Sequence, residues 1–133
     1  MKSVPSFPNR PKPLGPYSPC VVANGFVFIS AQTPLKPGAA PGDWAAPDVK
    51  GQTRQCLENV RAILEDLGLS MSAVVKVTVY LADPQDFASM NEAYAESFAE
   101  EPPARSPAKL GTALPGLKVT IDAIAVYEPK EEE

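Results

Sequence analysis

The sequence predicts an α+β fold, a mixed β-sheet with two helices packed on one face. Three observations predict it. "CVVANGFVFIS" is two apolar, β-branched runs joined by Asn24-Gly25, the strongest short-range hairpin signal. Between Gly51 and Gly68 apolar residues recur at intervals of three and four. After that helix comes a strand, a second helix and a final strand pair, giving the order ββαβαββ. The strand-helix-strand crossings favour parallel neighbours, whereas the hairpin and the last pair are antiparallel. Placing both helices on one face is the economical way to cover such a sheet.

Strands are expected near 19–23 and 26–31. In the first helix Cys56, Leu57, Val60, Ile63, Leu64 and Leu67 form the apolar stripe, Arg54, Glu58, Arg61 and Glu65 lie opposite, and Gly68 ends it. "VVKVTVYLA", 74–82, reads as a strand with Val75, Val77, Val79 and Leu81 on one face. Asp83 can then cap a helix with Pro84 at its first position, carrying Phe87, Met90, Tyr94 and Phe98 on one stripe. After "EPPARSP" a short strand is expected, then a turn at Leu114-Pro115-Gly116 and a long strand over "LKVTIDAIAVY". A sheet covered on one side leaves Ile124, Val126 and part of the hairpin on the other, too apolar a face for water, so a closed homo-oligomer is expected.

The 133 residues, 44% hydrophobic, suit a single domain over 1–133, with a proline-rich segment at 1–14 and an acidic tail at 128–133. Sixteen prolines cluster between the periodic stretches and punctuate the fold. A net charge of −4 provides no basic stripe for a phosphate backbone, so nucleic acid is not an expected partner. No stretch reaches the roughly 20 apolar residues of a membrane span, and the start lacks the apolar core of a signal peptide. Cys20 and Cys56 form no Cys-x-x-Cys pair, and a reduced, cytoplasmic chain without structural metal is expected. The absence of histidine excludes Ser-His-Asp and Cys-His catalysis and histidine-ligated zinc. Neither G-x-G-x-x-G nor G-x-x-x-x-G-K occurs.

The remaining candidates are few. Arg105 stands between Pro102-Pro103 and Pro107, held so that it suits bidentate capture of a planar carboxylate or a surface salt bridge. Asn91 falls inside the apolar stripe of its helix, where a buried amide must find partners, either loop backbone or a ligand in a cleft. Tyr17, in Gly15-Pro16-Tyr17, is a packed aromatic or a ligand contact. Thr120 and Asp122 share a face of the last strand, which is the solvent side or the wall of a cavity between subunits. The Gly/Pro loop around Trp44 is a lid or a long connection.

"GPYSP", "FVFISAQTP", "QTRQCLENVRAILEDLGL", "VVKVTVYLADPQDFASMNEAY", "PPARS" and "LPGLKVTIDAIAV" occur in an order and spacing that resemble the reactive intermediate deaminase (RidA/YjgF, also called L-PSP) family, from Gly15 to Tyr127. The resemblance implies a chorismate-mutase-like α+β fold and a homotrimer whose sheets form a central barrel with three intersubunit clefts. It implies hydrolysis of enamines and imines such as 2-aminoacrylate, released by PLP-dependent dehydratases, to 2-keto acids and ammonia. It places the carboxylate anchor at Arg105, with Tyr17, Ser30 and Asn91 around the ligand. Tyr17 and Thr120 join Arg105 as catalytic positions, and Ser106 joins the substrate-binding ones. No cofactor or metal is implied, because imines hydrolyse unaided and a catalyst need only hold the carboxylate, allow tautomerisation and present a water.

Three residues depart from the family pattern. Ala31 replaces a Gly, Pro107 a Cys, and Thr120 the Glu that helps to position the attacking water. A threonine hydroxyl can bond water but is no general base at neutral pH. The alternatives to a deaminase are therefore a relative that binds small carboxylates without efficient turnover, or one acting on another pathway's imine. Ribonuclease and chaperone-like holdase roles attach to some relatives, and the acidic charge disfavours the first.

Overall fold

Asn24 and Gly25 both take positive φ, 56° and 80°, as a two-residue hairpin loop requires. They join β1 (Cys20–Ala23) to β2 (Phe26–Gln32), with Ala23 opposite Phe26 and Cys20 opposite Ile29. The computed structural model describes residues 1–111 and 114–128, so the acidic tail from 129 onward lies outside the described residues. The remaining elements are α1 (Val49–Asp66), β3 (Val74–Leu81), α2 (Phe87–Ala95), β4 (Ala104–Lys109) and β5 (Val119–Val126). The strand order is β1-β2-β5-β3-β4; β3 and β4 run parallel and the other neighbours antiparallel. The α+β sheet with two helices is thus as expected, with α1 lying across β2 and β5 and beside α2. The last two strands, expected to pair antiparallel, are not neighbours: the crossover through α2 lays β4 parallel on one side of β3, and β5 pairs with the other side.

Helix α1 begins two residues before Gly51 because Asp48 caps it, accepting a hydrogen bond from Gly51 N at 3.4 Å. Its stripe is buried at Cys56, Leu57, Val60, Ile63 and Leu64, and Gly68 at φ 79° lets the chain turn away. Both cysteines are free and buried, and burial pushes the thiols up, Cys20 to about 11. A Cβ on Gly51 would overlap the Ala46 side chain. Gly→Ala inside a helix ordinarily stabilises by about 1 kcal/mol. Here Gly51→Ala should destabilise, by about 1–3 kcal/mol, because the loop before α1 must move. A lower urea midpoint at unchanged slope is the expected result; an unchanged or raised midpoint would show that the loop yields freely.

Four further expectations need correction. Val75 does not share the face of Val77 and Val79: the register with β5 shifts between Val74 and Lys76, so Val75 is the extra residue of a bulge and is 41% exposed. The strand expected after "EPPARSP" is β4 itself, which takes in Arg105, Ser106 and Pro107. It is an edge strand, where Pro107 is tolerated without an N–H. Asp83 caps a 3-10 turn at Pro84–Asp86, its carboxylate accepting from Gln85 N at 2.9 Å, and α2 starts only at Phe87. Phe98 lies past the end of α2, yet it is buried against Tyr94 with ring centroids 4.8 Å apart.

The helix-free face of the sheet bears the cross-strand pairs Phe26–Val126 and Phe28–Ile124. Phe26 and Phe28 remain 41% and 43% exposed, and Ile124 and Val126 are half-buried. This is the apolar face anticipated from the sequence. Among the described residues no helix is long and apolar enough to cross a membrane.

Candidate functional site

A cavity of about 390 Å³ opens where the loop before β1 passes over β2 and β5. Tyr17, Ser30 and Thr120 line it, together with Ala31 and Thr33. Ser30 is fixed by its own backbone: its N donates to Pro19 O at 2.9 Å, and its Oγ donates to Ser18 O at 2.6 Å. The Tyr17 hydroxyl accepts from Leu14 N at 3.2 Å, which folds the "LGPY" turn on itself, while the ring stays 44% exposed. Thr120 is 7% exposed and stands opposite Tyr80 on β3. The rest of the lining is largely leucine, at positions 14, 110, 114 and 117, and among the described residues no charged side chain belongs to it.

Two buried amides on α1 hold the walls of this cavity. Gln52 Nε2 donates to Ala46 O and Gly116 O at 3.0 and 2.9 Å, and its Oε1 accepts from Lys118 N at 2.9 Å. It thereby ties α1 to both residues flanking Leu117. Asn59 Nδ2 donates to Thr33 O and Leu35 O at 3.0 and 2.9 Å. Neither amide stands out in the sequence. The signal that marks them is spacing, since Gln52 and Asn59 lie four residues before and three after Cys56, on the apolar stripe, where a polar side chain must be bonded. Trp44 Nε1 donates to Pro115 O at 2.8 Å, so the loop around Trp44 is tied to the turn that leads into β5.

Arg105, Asn91 and Ser106 are elsewhere. Arg105 is in register with Val77 on β3, and its guanidinium carbon lies 4.7 Å from the Tyr94 ring and 5.6 Å from the Phe87 ring. Its Nη1 lies 4.0 Å from Met90 Sδ. The surface salt bridge is therefore not what the described residues form, and the cation rests on aromatic faces. Asn91 Oδ1 and the Tyr94 hydroxyl, on the same helix, are buried without a hydrogen-bond partner among the described residues. Burial raises the Tyr94 phenol above its ordinary range, with the Arg105 charge opposing. Ser106 Oγ accepts from Lys76 Nζ at 2.8 Å on the other face of the sheet.

The predicted site residues therefore fall into two groups. Thr120 is in register with Tyr80 and Tyr80 with Ala108, so reaching Arg105 means crossing to the edge strand and moving three residues along it. That is roughly 10 Å in each direction at ordinary strand geometry. Within one chain Arg105 does not reach the cavity. Asp122, the acid nearest Thr120 on its strand, is already engaged: its carboxylate accepts from Thr78 N at 3.1 Å and from the Tyr80 hydroxyl at 2.9 Å. That hydrogen bond, with burial, raises the Tyr80 phenol.

The sequence model described as endoribonuclease L-PSP matches residues 7–127. The chain belongs to the RidA/YjgF (L-PSP) family. A RutC family protein of Pyrococcus horikoshii is 48% identical over 128 residues, 96% of this chain and 100% of that relative. A 2-iminobutanoate/2-iminopropanoate deaminase of Salmonella typhimurium is 40% identical over 121 residues, 89% of this chain and 92% of the relative. The crystal structure of Escherichia coli TdcF with bound serine is similar at a TM-score of 0.81 and 35% identity, covering 95% of this chain and 99% of that one. The α+β sheet with two helices is thus the architecture of RidA/YjgF structures.

Proposed function

We propose that this protein is an enamine/imine deaminase that works as a homotrimer, with one domain per chain and its site between copies. The observation that carries the reading is the division of the site: a cavity with Tyr17, Ser30 and Thr120 but no charge, and a guanidinium at Arg105 that rests on aromatic rings at the opposite edge of the sheet. A closed ring sets the β4 edge of one copy against the cavity of the next and covers the Phe26–Phe28 face. Relatives at about 40% identity that are 2-iminobutanoate/2-iminopropanoate deaminases support the activity.

In this reading Arg105 holds the substrate carboxylate bidentately, with Asn91 of α2 among the binding residues and Ser106 contributing through its backbone, since its Oγ faces the other side of the sheet. Ser30 and Tyr17 border the reacting atoms from the neighbouring copy. An enamine such as 2-aminoacrylate takes up a proton at C3 and loses one from nitrogen to become the imine. Water then adds at C2 and the C–N bond breaks, leaving a 2-keto acid and ammonia. The reaction asks for position and a water, which hydroxyls and one arginine can supply without a cofactor. The free, buried cysteines suit a reducing cytoplasm. Thr120 favours a second reading, capture of a small carboxylate without efficient turnover, since a buried hydroxyl replaces the water-positioning carboxylate.

Turnover of 2-aminoacrylate beside a calorimetric titration with a 2-keto acid separates the two readings, the second predicting binding alone. Light scattering should give about three times 14.1 kDa. A monomer at micromolar concentration would remove both the interface and the intersubunit site.

A further inference from the structure

Phe87, Met90 and Tyr94 recur at intervals of three and four along α2, so all three leave one face of the helix. That face seats a cation as well as filling the core. The Arg105 guanidinium carbon lies 4.7 Å from the Tyr94 ring centroid and 5.6 Å from that of Phe87, and its Nη1 lies 4.0 Å from Met90 Sδ. Tyr94 is backed in turn by Phe98, with 4.8 Å between ring centroids and both residues buried, so the ring under the cation is held in place. Among the described residues no carboxylate pairs with Arg105. A carboxylate seat would occupy two N–H groups of the fork, whereas a ring face and a thioether leave them for a ligand.

We propose that Tyr94 is a positioning residue for the carboxylate anchor: its ring, with Phe87 as a second face, fixes the Arg105 guanidinium before substrate arrives. The inference rests on the reading of Arg105 as that anchor and deepens it. Arg105 starts from an edge strand that pairs only with β3, so the sheet fixes its backbone and leaves the tip of a long side chain to be aligned from α2. A ligand that must itself order one such rotamer-rich side chain loses a factor of roughly 2 to 13 in Kd. The seat removes that loss. The Tyr94 hydroxyl takes no part in it, being buried without a hydrogen-bond partner among the described residues, so the role belongs to the ring.

The test is calorimetric titration of the full chain with pyruvate as the 2-keto acid. Tyr94→Phe keeps the ring and should bind within about twofold of wild type, its melting unchanged or raised because an unpaired buried hydroxyl is gone. Tyr94→Leu fills the space without a π face and should raise Kd about three- to tenfold. The same substitution made together with Arg105→Lys, whose ammonium has no plane to align, should change the already weak Kd by less than about twofold. A loss of general packing would appear equally in both backgrounds. Phe87 is 40% exposed, so Phe87→Leu leaves the core alone and should raise Kd about threefold at unchanged melting. It decides the matter if Tyr94→Leu does not fold. Wild-type affinity in the folded leucine variants overturns the assignment, as does an equal loss in Tyr94→Phe or an equal loss with Arg105→Lys; in each case the anchor reading stands. Wild type that binds no pyruvate overturns the anchor reading and this inference together.

Discussion

Arg105→Ala should abolish 2-keto acid binding and leave the oligomer intact. The guanidinium touches Met90 Sδ and lies over Tyr94 and Phe87, with no carboxylate among the described residues to neutralise it. Its N–H groups are thus available to a ligand, while its stem and rings contribute modest packing. Removing it forfeits a bidentate, charge-assisted pair worth about 3 kcal/mol, or roughly a hundredfold in Kd. The stability lost with the cation–π contacts is about 1 kcal/mol. Arg105→Lys should recover little, because an ammonium offers a point charge without the planar fork that both stacks on Tyr94 and grips two oxygens. Calorimetry showing wild-type affinity in either variant would end the anchor assignment.

Much of this arrangement is legible in the sequence, and the parts that are not have physical reasons. The hairpin follows from Asn24-Gly25, because few residues tolerate two positive φ in succession. The α1 stripe follows from its period, and the apolar outer face follows from Phe26, Phe28, Ile124 and Val126 lying on strands whose other face is already covered. The bulge at Val75 is not legible, since a run of valines reads the same with or without an extra residue, and only the pairing with β5 decides it. That Arg105 lies within a strand is hidden by its prolines, which signal a loop unless the strand is known to be an edge. The spacing of Gln52 and Asn59 puts them on the apolar stripe of α1, but nothing local shows that each spends its amide on loop carbonyls that shape the cavity. The candidate residues themselves are named by resemblance to a family. Their division into an uncharged cavity and a distant guanidinium is a matter of strand order, which no local pattern carries.

Thr120 carries the other large effect. Positioned general-base help is typically worth about 10² to 10⁴-fold, so wild-type 2-aminoacrylate deamination should be weak and Thr120→Glu should raise it by at least tenfold. The neighbouring acid cannot stand in: both Asp122 oxygens already accept, one from Thr78 N and the other from the Tyr80 hydroxyl, and releasing them would unpair two groups of β3. A glutamate side chain introduced at this position would instead extend from β5 into the cavity beside Ser30. It could meet one competing partner there, the Arg105 guanidinium brought by a neighbouring copy. The two outcomes separate cleanly. A carboxylate that pairs with Arg105 weakens keto-acid binding, whereas one that positions water raises kcat with Kd nearly unchanged. The pH profile gives a second readout, because the introduced carboxylate must be ionised to work and should add a rising acid limb to kcat that wild type lacks. Fast wild-type turnover together with a silent Thr120→Glu would mean that water is placed by other groups, and the backbone carbonyls around Ser106 and Pro107 on the edge strand are then the ones to examine.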